Sequence, residues 1–337
     1  MSEPGINVYR GGHIESQHHI HIAVVNTNGK IIYSYGNPTL ATFARSSMKP
    51  LQAIPIIETG TIEAYNFEPE DIAIMCASHN GEPIHRLRVL SILERVGQTE
   101  EALKCGTHIP RDIDSYKALI KEGKELSPVF SNCSGKHSGM IATAVHLNED
   151  IGSYYLLEHP IQQRILDTIS ELLNFPKDKI GIGIDGCGVP VHQLPLNYCA
   201  LLFAYLANPE LIKENNHTQA VKTIRNAMMK HPELVAGKDR FDTDVMRVFE
   251  GRIVSKSGAE GVQCVGDVET GIGISIKSED GNGRAAMVAM MEVLKQLGMC
   301  DKETNDKLSK YIEIPIKNMK KEIIGMVKPS FVLTKSI

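Results

Sequence analysis

The residues able to do chemistry fall in short clusters, and the first is Arg45-Ser46-Ser47-Met48-Lys49-Pro50. Ser46 and Lys49 stand three apart, a spacing that puts both side chains on one face of a helix. A serine hydroxyl is a poor nucleophile until a neighbouring base takes its proton, and a lysine serves as that base once burial or nearby positive charge makes its neutral form accessible. Pro50 is tolerated in a first helical turn, where the N–H has no intrahelical partner. Ser46 is therefore expected near a helix N-terminus, whose dipole would favour a developing alkoxide. One S-x-x-K pair occurs by chance in many chains, and a solvated serine beside a surface lysine is the competing reading.

Order along the chain changes the weighing. Ser78-His79-Asn80 supplies an S-x-N triplet, and Lys256-Ser257-Gly258 follows next to an expected strand. S-x-x-K, then a serine-bearing loop, then K-[TS]-G is the order found in penicillin-binding proteins, serine β-lactamases and serine glutaminases. The step from Ser46 to Ser78 is shorter than their usual second motif.

A second constellation pairs Ser131-Asn132-Cys133-Ser134-Gly135-Lys136-His137-Ser138-Gly139-Met140 with Asp185-Gly186-Cys187-Gly188-Val189-Pro190. Each is a turn rich in small residues with a cysteine at its centre. Tight glycine turns or buried cysteines acting as small hydrophobes would account for both. Gly135-Lys136 is followed by His137 and lacks P-loop glycine spacing, which excludes a phosphate loop. No C-x-x-C is present, so a zinc ribbon is excluded too. A metal site built on Cys133 and Cys187 stays open, with Lys136, His137 or Asp185 able to complete it, and thiolates favour zinc.

The elements that must position these residues can be read from periodicity. Residues 19–25 and 31–35 flank Asn28-Gly29, a hairpin signal in which both turn residues tolerate positive φ. Leu51, Ile54 and Ile57 give near-helical spacing over 47–59, interrupted by Pro55. Amphipathic helices are expected at 85–96 and 161–173, a further helix at 284–298, and strands at 252–255, 261–266 and 271–277. Strands at both ends with helices between predict an α+β fold, an antiparallel sheet shared by strands of about 8–36 and 250–280. We expect one domain over 1–337 with a helical middle lobe at about 85–240. Thr59-Gly60-Thr61-Ile62 reads as a helix-ending turn, and the histidines His13, His18, His19 and His21 read as solvated strand positions.

Composition narrows the partners. A formal net charge of −4 over 337 residues argues against nucleic acid or an anionic membrane. No apolar run approaches the roughly 20 residues needed to cross a bilayer. No apolar leader opens the chain, and seven cysteines without paired spacing suit free thiols, so a cytoplasmic protein is expected.

RSSMKPLQA at 45–53, CASHNGE at 76–82, NCSGKHSGM at 132–140, DGCGVP at 185–190 and KSGAEG at 256–261 together resemble the L-asparaginase II family, the rhizobial-type enzymes, from about residue 8 to residue 330. The resemblance implies a serine β-lactamase/glutaminase-like fold, usually a homodimer, and hydrolysis of L-asparagine to L-aspartate and ammonia. It implies two Ser–Lys pairs, Ser46 with Lys49 and Ser78 with Lys256. It also implies one zinc per chain held by Cys133, Lys136 and Cys187, with Asp185 close by and facing the substrate; that zinc would position substrate without activating water.

On this reading Ser46, deprotonated by Lys49, attacks the carboxamide carbon while Ser78 and Lys256 assist, and sequence leaves open which serine attacks first. Arg45, His79, Asn80 and Asp185 are the candidates for holding the substrate's α-groups. Rival readings are a glutaminase or β-lactam-type hydrolase on the same fold, a zinc-water amidohydrolase, and a zinc-stabilised binding protein without catalysis. Glutamine and asparagine differ by one methylene, worth about 1–3 kcal/mol to a pocket.

Overall fold

The computed structural model describes residues 4–212 and 217–336. Among the described residues twelve strands run β1 Pro4–Arg10, β2 His13–Val25, β3 Ile31–Tyr35, β4 Ala41–Phe43, β5 Gly181–Ile184, β6 Pro190–Pro195, β7 Ile253–Gly258, β8 Val262–Asp267, β9 Ile272–Ser278, β10 Ile314–Lys317, β11 Ile323–Pro329 and β12 Thr334–Lys335. The fold is α+β. Its main sheet has the order β10-β11-β1-β2-β9-β8-β7, with β3 on β2 and β12 on β3. β2 and β9 pair antiparallel from Ile20↔Ser278 to Val25↔Gly273, so chain ends remote in sequence share one sheet, as expected.

Two hairpin details differ from the sequence reading. β2 begins at His13 and pairs with β1, which periodicity did not single out. Arg10 stands opposite His13 with only Gly11 and Gly12 between them, at φ 54° and 85°. Two consecutive left-handed residues form the two-residue turn whose twist matches the strands. The β2–β3 connection is longer than a two-residue Asn-Gly turn. Asn26 and Lys30 close it, the Asn26 side chain accepts from the N–H groups of Asn28 and Lys30, and Gly29 is left-handed while Asn28 is not.

The early histidines are a correction. His18 and His21 are 5% and 4% exposed. The Nδ1 of His18 lies 2.6 Å from Asp280 Oδ2, and the Nε2 of His21 lies 2.7 Å from Glu279 Oε1. Crowding on a strand suggested solvent. Instead, the two stand three apart and so on opposite faces of β2, yet both are covered, and each meets a carboxylate beyond β9.

The chain divides into two compact units. The first runs to Ser47 and adds Leu194–Asn208 and everything from Asp244 on; the second comprises Met48–Gln193 and Pro209–Thr243. In the first, the helix Leu196–Ala207 lies on β8 and β9. Gly266 and Gly273 face each other in register there. A Cβ on Gly273 would sit 1.8 Å from the Ala200 carbonyl oxygen, and one on Gly266 would sit 2.2 Å from that of Phe203. The paired glycines let helix backbone rest on sheet backbone.

The second unit is mostly helical. Pro83–Arg95 and Pro160–Leu173 match the expected amphipathic helices, and Ala53 separates Lys49–Gln52 from Ile54–Glu58 just before Pro55. Gly60, at φ 77°, ends that run as a turn. The helix Ser134–His146 is buried along most of its length and packs on Pro69–Met75 and Pro83–Arg95. A Cβ on Gly135 would lie 2.1 Å from the Ile74 carbonyl oxygen, and one on Gly139 would lie 2.7 Å from Ile56 Cδ1. The glycines of NCSGKHSGM are contact positions, one helical turn apart. Among the described residues no helix is long and apolar enough to cross a membrane.

Gly273→Ala is expected to destabilise the protein by about 1–3 kcal/mol or more, because neither backbone can withdraw without breaking its own hydrogen bonds. Urea unfolding checks this, and an unchanged midpoint would show that the helix does not rest on the sheet at this point.

Candidate active site

The serine–lysine motif starts in the first unit. Arg45–Met48 forms one turn of 3-10 helix that runs into Lys49–Gln52. Arg45 takes φ 52°, a left-handed conformation that costs an ordinary residue roughly 1–2 kcal/mol. Ser46 follows it and is only partly buried, whereas Ser47 is buried with its hydroxyl donating to the Ala44 carbonyl at 2.7 Å. The α-helix ahead has four residues, so it offers Ser46 little of the dipole expected from sequence. In the same unit β7 carries Lys256, fully buried opposite Cys264, its Nζ donating to the Ser257 carbonyl at 2.7 Å. A Cβ on Gly258 would lie 2.7 Å from the Ala44 carbonyl oxygen and 3.4 Å from Arg45 Cβ. The end of β7 thus lies against the turn that carries Arg45 and Ser46.

In the second unit Lys49 is 1% exposed. Its Nζ donates to the Ala77 carbonyl and, at 3.2 Å, to that of Asn132. One side chain therefore joins the residue before Ser78 to the residue before Cys133. A neutral amine keeps two N–H donors, enough for both carbonyls, and carries its lone pair in the remaining tetrahedral direction.

Ser78 is 6% exposed, and its N–H donates to the Val235 carbonyl at 2.9 Å. The next residue, His79, is fully buried. Its Nδ1 accepts from the Gly81 N–H, so its Nε2 donates to Ser134 Oγ at 2.9 Å, and that hydroxyl passes its proton to the Val129 carbonyl. Both ring nitrogens are used, which makes His79 a brace between the Ser78 loop and the start of Ser134–His146 and not the substrate contact expected. Asn80 is likewise committed: its Nδ2 reaches Glu82 Oε1 and the Lys238 carbonyl, and its Oδ1 accepts from Arg240. Arg240 carried no motif signal.

The cysteine turns also meet in this unit. Asp185–Val189 forms the turn between β5 and β6, closed by Asp185 N–H to the Val189 carbonyl, with Gly188 at φ 87°. Lys136 Nζ lies 3.2 Å from Cys187 Sγ, and Cys187 Sγ lies 3.8 Å from Asp185 Oδ2. Cys133, Lys136 and Cys187 are 4%, 2% and 6% exposed. A hydrogen bond with Cys187 holds the Cys133 thiol well below its ordinary range against burial, while the same bond and burial push Cys187 up. Burial opposes charge on Lys136, but Cys187, Cys133 and Asp185 outweigh it and hold the ammonium. The pair thus shares one proton beside a cation.

Two thiols and a lysine, whose ammonium would have to give up its proton on binding, form in one dry pocket a donor set that suits zinc. Among the described residues no three His, Cys, Asp or Glu side chains gather as a metal site, and beside the two cysteines stand Lys136 and Asp185. The Nδ1 of His137, another local candidate, lies 2.6 Å from the Tyr154 hydroxyl, which also accepts the Lys104 N–H, while its buried Nε2 has no hydrogen-bond partner among the described residues.

The L-asparaginase II family profile matches residues 6–329. The chain belongs to the L-asparaginase II family. It is therefore an asparaginase-type amidohydrolase with a small-molecule substrate. No curated protein matches it. Among solved structures it is similar to a candidate beta-lactamase from Bacteroides dorei DSM 17855, at 11% identity and TM-score 0.38, covering 87% of this chain and 93% of that one. It is also similar to Mglu, at 15% identity and TM-score 0.39, covering 85% of this chain and 63% of that one. A beta-lactamase (Mb2281c) from Mycobacterium bovis gives 12% identity and TM-score 0.38, with 87% and 95% covered. For this L-asparaginase II chain, the motif residues are those that converge within each unit.

Buried neutral histidines set its acid limit. Burial holds His79 and His85 below their ordinary value of 6.5 and takes His192 down to about 4. Each is neutral when folded and protonates in the unfolded chain below 6.5, so stability is complete above that pH and lost on acidification. Each proton contributes up to about 1.4 kcal/mol per pH unit within its window. Denaturant midpoints should fall between pH 7 and pH 5, above the range where carboxylates titrate; a flat profile there would mean these rings are not held neutral.

Proposed function

We propose that this protein is an L-asparaginase that works through Ser46 and Lys49, with Ser78 and Lys256 as a second pair. The observation that carries the reading is the Lys49 amine, buried three residues after a partly exposed serine, with two carbonyl acceptors for its hydrogens. Ser46 is the more accessible of the two serines, which favours it as the attacking group. Its Oγ adds to the carboxamide carbon as its proton passes to Lys49. The tetrahedral intermediate expels ammonia, which takes that proton, and leaves an aspartyl ester on Ser46. Water, deprotonated in turn, opens the ester to aspartate and restores the serine. Backbone donors, the Ser46 N–H among them, would hold the oxyanion. The cation of Arg45 and the turn carrying Asp185 are the sites we assign to the substrate's α-carboxylate and α-amino groups.

Cys133, Lys136 and Cys187 would hold a zinc ion, whose charge would pin the Asp185–Val189 turn to the head of Ser134–His146. All seven cysteines are free thiols, which suits a cytoplasmic enzyme. A homodimer is proposed from family resemblance alone.

Ammonia release from asparagine and from glutamine, for wild type and Ser46→Ala, tests the reading. Ser46→Ala and Lys49→Ala should each fall below about a tenth of the wild-type rate, and the double variant should be scarcely slower, because members of one unit fail together. If Ser46→Ala keeps more, Ser78 becomes the nucleophile.

Metal analysis should find one zinc per chain, reduced in Cys187→Ser, with KM raised more than kcat is lowered. A folded, zinc-stripped protein should still turn over at high asparagine. Complete loss there would replace the serine mechanism with a metal-water one.

A further inference from the structure

The loop that carries Ser78 is gripped from one side by the segment 233–240, which contains no recognisable motif. Val235 accepts the Ser78 N–H at 2.9 Å, and Arg240 Nη1 donates to the Ser78 carbonyl at 3.2 Å. The same nitrogen donates to Asn80 Oδ1 at 3.0 Å, so its two hydrogens serve two acceptors. Between these points Asn80 Nδ2 reaches the Lys238 carbonyl at 2.9 Å, and Glu82 Oε1 accepts the Lys238 N–H at 2.8 Å. His85 Nε2 closes the far end on the Glu233 carbonyl at 2.8 Å, because its Nδ1 already accepts from Glu82.

The backbone is shaped for this grip. Gly237 has φ 110°, and a Cβ there would lie 2.4 Å from Glu82 Oε1 and 2.6 Å from Asn80 Nδ2. Asp239 is left-handed at φ 58°. Left-handed non-glycine residues persist where surrounding structure over-determines them, often beside functional groups. Holding both backbone polar groups of Ser78 fixes the peptide planes on either side of it. The direction of its Oγ is then set by one torsion alone.

We propose that 233–240 is a strap that aims Ser78, and that Arg240 is its positioning residue. This rests on the reading of Ser78 with Lys256 as the second, assisting Ser–Lys pair. Arg240 acts through the Ser78–Asn80 backbone. Its removal should therefore slow the chemical step and leave substrate affinity unchanged.

The test measures ammonia release by the full-length protein. Arg240→Ala should lower kcat by about tenfold or more, since a small misplacement of a reacting group can cost up to a hundredfold. KM should stay within about twofold. Millimolar guanidinium should restore part of the rate, and Arg240→Lys should fall between Arg240→Ala and wild type. Lys238→Ala should behave as wild type, because the strap uses only that residue's backbone.

A folded Arg240→Ala with wild-type kcat, a rise in KM alone, or no response to guanidinium overturns the proposal. If Arg240→Ala does not fold, Arg240→Lys decides: a kcat lowered several-fold at constant KM supports the strap, and an unchanged kcat removes it. Wild type that releases no ammonia from either amide sinks the asparaginase reading and the strap with it. An active wild type with an equally active Arg240→Ala sinks the strap alone.

Discussion

The buried amino group of Lys49 organises the second unit. A buried lysine must place its hydrogens on acceptors or lose its charge, and here the acceptors are two main-chain carbonyls, those of Ala77 and Asn132. Neither is a side chain that a neighbour could swing away. Both carbonyls exist at the right place only because Ser134–His146 approaches Pro69–Met75 closely enough for Gly135 to touch Ile74 backbone. A methyl group at Gly135 would push apart the two segments that Lys49 joins. The hydrogen bonds of the lysine thus depend on packing at a glycine it does not touch.

The same segments are bound by a second layer of polar contacts that uses neutral rings. His79 links the Gly81 N–H to Ser134 Oγ, and His85 links the Glu82 N–H to the Glu233 carbonyl. The two imidazoles stack at 4.9 Å between centroids. An imidazole with one donor and one acceptor can bridge a backbone N–H to an oxygen only while uncharged. Burial enforces that state, so these braces hold the loop carrying Ser78 for as long as both rings stay uncharged.

The fold class was legible because it rests on periodicity: strands at both ends and helices between them came out within a few residues of their observed bounds. The first strand was missed, since its pairing depends on Gly11-Gly12 and on β11 more than 300 residues away. Candidate site residues could be nominated where type and spacing carry a signal, as in Ser46 with Lys49 or Cys133 with Lys136. Roles were harder to read. His79 and Asn80 lie in the right loop, yet their polar atoms are already spent on the backbone around them. Arg240 could not be found at all, because one arginine after a left-handed aspartate has no spacing to betray it.

These failures share a cause. Sequence shows which side chains have reactive atoms, whereas the partners that decide their use are largely main-chain groups: the carbonyls of Ala77, Asn132, Val235, Lys238 and Glu233. A carbonyl is present at every position whatever the residue, so no pattern of residue types can mark the ones that matter. What the pattern can mark is where backbone must come close, and there glycine is the sign. Gly135, Gly237 and Gly258 each stand where a Cβ would strike a segment bearing a motif residue. The glycines in and around the motifs, first read as tight turns, also mark the close contacts that hold those segments in place.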